Sequence, residues 1–421
     1  LELLACLLLI VGMQGVKELC YLIENFLKSI MGGSTVDFEL TEELQDIKKL
    51  ARDFAVKEIL PTVDLDDKAH RFRHDLVKKM GELGFFGCVV PEEYGGNEMG
   101  FLAITLIAEE IARVHSSMRL PFNMNALGPA LTILKYGSEY LKKKYVPGLA
   151  SAELLGAFAI TEADAGSDVA SMKTRAVPEG DHYVVNGSKM WISNAPVADV
   201  ALLYAYTDPS KRAEGMSAFV LDVKSPGVSV DPITEKLGTW AAPVGAMTFE
   251  NVRIPRENLL GKEGDGFKIC MAQLDDTRLG CAAGGLGVAQ ACIDAVLQYA
   301  NQREQFGRPV GKFQMIQDMI AQMVVETEAA RFLVYRAATL KDKGVPNTLE
   351  TSMGKYAAAE AANKCADYAM KIYGSYGYSE EYPVARFYRD AKSYQIVEGT
   401  SNIQKMIIAN DALGYRKANR R

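Results

Sequence analysis

The feature that most restricts the fold is a change of hydrophobic period, made twice along the chain. From about residue 41 to 157, apolar residues recur every three or four positions, as in LQDIKKLARDFAVKEIL, the spacing that gives a helix one buried face. Thr41-Glu-Glu-Leu44 ahead of that run predicts a helix start, and Glu93–Gly100 (EYGGNEMG) a loop. Residues 158–267 read differently. HYVVNGSKMWIS, VALLYAY, SAFVLDV and AMTFENVRI are short β-branched and aromatic runs divided by Gly, Pro, Asn and Asp, which is strand-and-turn chemistry. From residue 268 onward Ala, Leu, Met, Glu and Lys return at helical spacing. The pattern predicts an α+β chain with an N-terminal helical domain (37–157), a middle β-domain (158–267) and a C-terminal helical bundle domain (268–421). A chain of 421 residues can bury a large core between such parts.

Residues 1–36 stand apart. Leu3 to Met13 (LLACLLLIVGM) is uncharged and apolar but short for a bilayer, and Glu2 occupies the place where a signal peptide carries positive charge. We read 1–36 as an added extension joined by Gly32-Gly-Ser-Thr35 to a domain starting near Asp37, with a membrane anchor as the alternative; no stable membrane insertion is expected. A net charge of −6 argues against a nucleic-acid partner. Seven cysteines (Cys6, Cys20, Cys88, Cys270, Cys281, Cys292, Cys365) show no CxxC pair, which favours free thiols in a reducing, cytoplasmic setting. Cys270, Cys281 and Cys292 read as small buried hydrophobes on one helix.

Several familiar chemistries lack their residues. His70 and His74 (HRFRH) have no third metal ligand at a usable spacing, so a polar surface stretch is preferred. The four histidines lie in polar sequence and suggest no Ser-His-Asp set. Gly284-Gly-Leu-Gly287 sits inside an Ala-rich helical pattern, not after a strand, and reads as close helix packing instead of a dinucleotide fingerprint. ITEADAGSDVASMKT (Ile160–Thr174) is a strand running into a Gly-Ser turn, whose N–H groups and hydroxyls suit a flat heterocycle or a phosphate as well as a plain turn. SKMWISNA (Ser188–Ala195) follows an expected turn at Asn186-Gly187; Trp191 fits either a planar cofactor or the β-domain core.

YQIVEGTSNIQ (Tyr394–Gln404) brings a strand-like apolar run to Glu398, then Gly399, then a capping box at Ser401-Asn-Ile-Gln404. Glu398 is either a carboxylate favoured by the helix dipole or a base in an apolar pocket, where desolvation strengthens a carboxylate as a base. Local chemistry leaves both open.

In order, ITEADAGSDVASMKT, NGSKMWISN, DDTRLG, REQFGRPVGKFQ, YGYSEEYPVARFYRDA and VEGTSNIQ resemble the acyl-CoA dehydrogenase family from about Asp37 to Tyr415. The resemblance implies two helical domains flanking a β-domain, non-covalent FAD and a homotetramer. It implies that Phe158, Ile160, Thr161, Trp191, Ser193, Thr400 and Asn402 line the flavin. Arg303, Phe306 and Gln314 match positions that reach the neighbouring subunit's FAD. Ser167 matches a contact to CoA, and Arg278 a substrate-pocket arginine; Val397 and Gly399 flank the base in the substrate site. Lys371 stands where many members carry Gln beside the adenine. Glu398 matches the catalytic base, and Thr277 the position where some members place that base instead. The implied reaction removes a Cα proton of an acyl-CoA thioester while hydride leaves Cβ for the flavin. Electrons then pass to an electron-transferring flavoprotein.

Within HSSMRLPFNMNAL, Arg119 matches an arginine that glutaryl-CoA dehydrogenases use for the distal carboxylate, against the commoner case of a solvated arginine. Decarboxylating members carry Tyr where this chain has Val397 and Glu where it has Ala112, so dehydrogenation without release of CO2 is expected. Benzylsuccinyl-CoA would satisfy the same arginine. Short-chain or alicyclic acyl-CoA remains the same-class alternative, and a non-catalytic flavoprotein in which Glu398 only caps its helix the remote one.

Overall fold

The computed structural model describes residues 39–419. The expected extension over 1–36, the domain start at Asp37, and Cys6 and Cys20 lie outside the described residues.

The chain is α+β, as the change of period predicts. The N-terminal helices are α1 (Glu42–Phe54), α2 (Val63–Lys68), α3 (His74–Glu82), α4 (Gly100–Val114), α5 (Ser116–Pro121), α6 (Leu131–Tyr136) and α7 (Glu139–Ser151). In α1 the Thr41 hydroxyl accepts from Leu44 N at 3.4 Å, and Ile47, Ala51 and Phe54 form one buried stripe. α4 is buried nearly all round. Its first N–H groups are satisfied from far along the chain, Phe101 N and Leu102 N donating to Asp342 at 2.5 and 3.0 Å. Between α5 and α6, Phe122–Ala130 forms a wholly buried π-turn bracketed by Pro121 and Pro129, which have no N–H for an ordinary helical ladder. His70 stacks on Trp240 with centroids 5.2 Å apart, and His74 lies edge-on to Phe72. His115 and His182 are buried, contrary to their polar sequence neighbours, because α4 and the sheet carry them inward.

The β-domain is an eight-stranded sheet: β1 (Gly156–Ala159), β2 (Arg175–Glu179), β3 (His182–Ser193), β4 (Val200–Tyr206), β5 (Met216–Asp222), β6 (Val228–Pro232), β7 (Val244–Pro255) and β8 (Leu259–Leu260). Seven strands run in the order β6-β7-β3-β2-β4-β5-β8, and β1 joins β4 in parallel. Asn186-Gly187 is not the expected turn. β3 continues through it with a register shift between Val185 and Gly187, and Gly187 has φ +147° where a Cβ would meet Thr174 Oγ1 at 2.6 Å. A glycine bulge absorbs the extra residue and the strand goes on.

The C-terminal part comprises α8 (Gly266–Gln302), a hairpin of β9 (Glu304–Gln305) and β10 (Arg308–Pro309), then α9 (Gln314–Asp342), α10 (Thr348–Tyr373), α11 (Pro383–Tyr394) and α12 (Ser401–Ala412). Among the described residues α8 is the one helix long and apolar enough to cross a membrane, and most of that stretch is buried in the fold, as in a core helix. Its Gly284–Gly287 segment does pack closely: a Cβ on Gly287 would stand 2.4 Å from Glu109 O of α4. Cys270, Cys281 and Cys292 are buried on α8 without disulfides. Burial pushes the Cys270 thiol up to about 12.

Candidate active site

α11 does not give way to a strand. Its apolar face (Val384, Ala385, Phe387, Ala391, Tyr394) keeps it helical through Tyr394. Ile396 N and Val397 N then donate back to Ser393 O at 2.9 and 3.0 Å, which makes a tight turn with both side chains exposed. The cap of α12 also lies one residue earlier than expected. Thr400 Oγ1 accepts from Ile403 N at 3.2 Å, whereas Ser401 Oγ donates to Glu360 at 2.7 Å. Glu398 therefore does not cap the helix.

At Glu398 the backbone is left-handed, φ +56°, followed by Gly399 at +84°. A non-glycine residue holds that conformation only when its surroundings impose it. Here Arg278 Nε donates to Glu398 O at 3.2 Å, and Lys355 Nζ to Gly399 O at 2.8 Å. Gln404 Nε2 donates to Gly399 O as well, at 3.0 Å. Arg278 is itself set by Asp275 at 2.6 Å, and burial holds Lys355 below the ordinary lysine range.

The carboxylate is gripped at both oxygens. Thr277 Oγ1 donates to Oε2 at 2.6 Å, and Asn123 Nδ2 donates to Oε1 at 3.0 Å and to Thr277 O at 2.9 Å. The immediate surroundings are thus a hydroxyl and an amide, unlike the apolar pocket that was one of the two alternatives. Consecutive residues of α8, Thr277 and Arg278, hold the side chain and the carbonyl of Glu398.

Arg119 is not a solvated arginine. It is 4% exposed, and its Nε and Nη1 have no hydrogen-bond partner. Its guanidinium carbon lies 5.6 Å from the centre of the Tyr394 ring, and the Tyr394 hydroxyl is 2.7 Å from Ser116 Oγ. A buried cation without an anion is costly unless a ligand supplies one.

On the β-domain rim Met190 N donates to Thr161 O at 2.9 Å, which links the segment after β1 to β3. Beneath it the buried Lys189 Nζ donates to Ile160 O at 3.0 Å and to Glu162 at 2.9 Å. Burial lowers Lys189; for Glu162, burial is outweighed by Lys189, Thr174 and Lys173 N, and its carboxyl falls below the usual range. Trp191 sits in a second bulge of β3 with φ +63° and is 57% exposed, so it is not a core residue. Phe158 packs against the π-turn that carries Asn123, 3.0 Å from where a Cβ on Gly128 would stand. Ile160 is buried, Thr161 and Ser193 are half-buried, and Ser167 and Asn402 are exposed.

Three domain descriptions match the sequence in order: acyl-CoA dehydrogenase N-terminal domain over residues 41–153, middle domain over 157–252 and C-terminal domain over 264–413. The chain belongs to the acyl-CoA dehydrogenase family. As an acyl-CoA dehydrogenase it is an oxidoreductase acting on a CH–CH bond of an acyl thioester. It is 57% identical over 390 residues to a glutaryl-CoA dehydrogenase of Desulfococcus multivorans, covering 91% of this chain and 100% of that one. Among solved structures, the glutaryl-CoA complex of a glutaryl-coenzyme A dehydrogenase superposes with TM-score 0.90 at 56% identity, over 92% of this chain and 99% of the other. A chain of the structure described as the electron transferring flavoprotein of Acidaminococcus fermentans gives TM-score 0.88 at 42% identity, over 90% and 100%.

FAD is the cofactor of this family, and the dehydrogenase fits it. A large aromatic held outward by a strained bulge, beside a rim of turn hydroxyls, is a surface for a flat ring system. Not every matched residue of the dehydrogenase reaches one place. Arg303, Phe306 and Gln314 lie beyond the far end of α8 from Thr277, roughly 37 Å away at the helical rise. Phe306, 93% exposed, and Gly307 both have positive φ at the hairpin tip, the conformation that two-residue hairpins require. Arg303 packs over Tyr376, and Gln314 opens α9 on the surface.

Asn123, Lys355 and Gln404 escaped the sequence reading. Only Gln404 carried a signal, having been assigned to a cap.

Proposed function

We propose that this enzyme oxidises a dicarboxylic acyl-CoA such as glutaryl-CoA at its α,β bond without releasing CO2. The observation that carries the substrate class is Arg119, buried with two donor nitrogens unspent. A neutral acyl chain would leave them so, whereas a distal carboxylate would accept from both.

Glu398 acts as the base. Thr277 and Asn123 fix the plane of its carboxylate while each oxygen keeps a lone pair for the Cα proton. The left-handed turn leaves Glu398 N–H without an acceptor among the described residues, free to polarise the thioester oxygen. One such preorganised donor is worth about 3–4 kcal/mol. FAD, when bound, would supply the acceptor for the hydride that leaves Cβ. Phe158, Ile160, Thr161, Trp191, Ser193, Thr400 and Asn402 are the residues we assign to its ring system, and Ser167 to CoA.

Two side chains support retention of the second carboxylate. Val397 brings no hydroxyl, and Ala112 is a buried methyl against Gly287 with no carboxylate to offer. Departing CO2 would be neutral and forfeit the Arg119 contact. The remaining assignments are a homotetramer in which Arg303, Phe306 and Gln314 complete the neighbour's flavin site, and an electron-transferring flavoprotein as acceptor. A cytoplasmic setting suits the five described cysteines, all free.

Anaerobic mixing with glutaryl-CoA tests the reading, since the flavin reports its own reduction. Wild type should bleach, and Glu398→Gln should bleach about a hundredfold more slowly or worse. Mass spectrometry should find a five-carbon enoyl-CoA. Crotonyl-CoA as main product would sink the non-decarboxylating part, and bleaching by butyryl-CoA alone would sink the substrate class.

A further inference from the structure

We propose that the Ser116–Tyr394 hydroxyl pair is the second half of the distal-carboxylate site, and that Gly284 is the residue that lets it assemble. The inference rests on the dicarboxylic reading above.

The pair is a donor held in reserve. Both residues are buried, and their hydroxyl oxygens lie 2.7 Å apart. Two hydroxyls own two protons, and the bond between them uses one. Neither oxygen bonds any other group among the described residues, so one O–H remains to donate whichever way the first is shared. Beside it, Arg119 keeps Nε and Nη1 unspent. A carboxylate has lone pairs enough to take the guanidinium edge and a hydroxyl together.

The two donors converge because of one missing methyl. A Cβ on Gly284 would stand 2.6 Å from the Tyr394 hydroxyl and 2.8 Å from Arg119 Nε. Both groups therefore press against the same point of α8, and any side chain there would push them aside. The placement along the chain agrees. Ser116 precedes Arg119 by three residues on α5, and so shares its face. Tyr394 lies four residues before Glu398, so one short segment would bind both ends of the substrate, the base at Cα and the phenol at the far carboxylate. That hydroxyl enters from position 394, where the side chain at 397 offers none.

The test is the kcat/KM ratio of glutaryl-CoA to pentanoyl-CoA, a neutral chain of equal length, in flavin-loaded wild type and in Tyr394→Phe, Ser116→Ala, Gly284→Ala and Arg119→Ala. Loss of a hydrogen bond to a charged group should lower the ratio about tenfold or more in Tyr394→Phe, chiefly through KM. Gly284→Ala removes no polar group, yet should lower the ratio in the same direction by displacing both donors. Should that variant fail to fold, Tyr394→Phe and Ser116→Ala carry the test. A ratio unchanged in Tyr394→Phe and in Gly284→Ala, but lowered in Arg119→Ala, overturns this inference and leaves the dicarboxylic reading standing. A ratio that Arg119→Ala does not move overturns that reading, and the inference with it.

Discussion

A hydroxyl 2.6 Å from Glu398 Oε2 and an amide 3.0 Å from Oε1 pull on the base from two sides. One donor holds each oxygen, and together they stop the carboxylate from rotating out of line. Orientation matters most here, because a carboxylate that points away from Cα cannot take its proton. We expect Thr277→Val to lose about 1.5–3 kcal/mol in kcat, tenfold or more, with little change in KM. A pre-steady-state flavin-reduction rate equal to wild type would refute this. Glu398 as the candidate base could be read from the sequence; its clamp could not. Asn123 and Glu398 are 275 residues apart, and Lys355 lies 44 from Gly399. No local pattern announces a contact that only the packing of a π-turn against α8 creates.

Among the elements, the runs with a clear period could be read directly, and the errors fell where a strand or helix absorbs an irregularity. Asn186-Gly187 looked like a turn because the same residues make turns and bulges. YQIV looked like a strand because the buried face of α11, which keeps Tyr394 helical, lies upstream of it. Ser401 looked like the cap because Thr400 and Ser401 are chemically near-equivalent. β3 also hides its anchor: Lys189, fully buried, pins Glu162 and hence the segment that carries Ile160 and Thr161. Lys189→Met should strand the Glu162 charge and cost about 3 kcal/mol or more, seen as a lower thermal midpoint and poorer FAD retention. Replacing Glu162 by Gln in the same chain should recover much of the midpoint, since the stranded charge is then gone.

For the whole molecule, the three segments meet at a buried polar junction that composition could not reveal. Arg389 of α11 donates to Asp67 of α2 at 2.9 Å and lies 3.6 Å over Trp240, whose indole N–H donates to Lys236 O at 2.8 Å. Asp390 accepts from Thr239 N, and burial raises its carboxyl. Lys236, donating to Thr239 O and Ala242 O, is pushed down by burial to about 8 from 10.5. Below pH 8 it is charged in both states and the burial penalty is fully present. Between about 8 and 10.5 the unfolded chain holds a proton that the folded one has lost, so stability contributed at this site rises with pH. Wild type should therefore gain thermal midpoint relative to Lys236→Met between pH 8 and 10, and a constant difference would count against it.

On the proposed assembly, in which the exposed hairpin tip at Phe306 completes the neighbour's flavin site, a genetic consequence follows. A subunit with Glu398→Gln has a dead base but a sound hairpin, and one with Phe306→Ala has the opposite defect. Co-expressed, two silent alleles should complement: in a randomly mixed pair of subunits, roughly a quarter of all sites would unite a working base with a working hairpin.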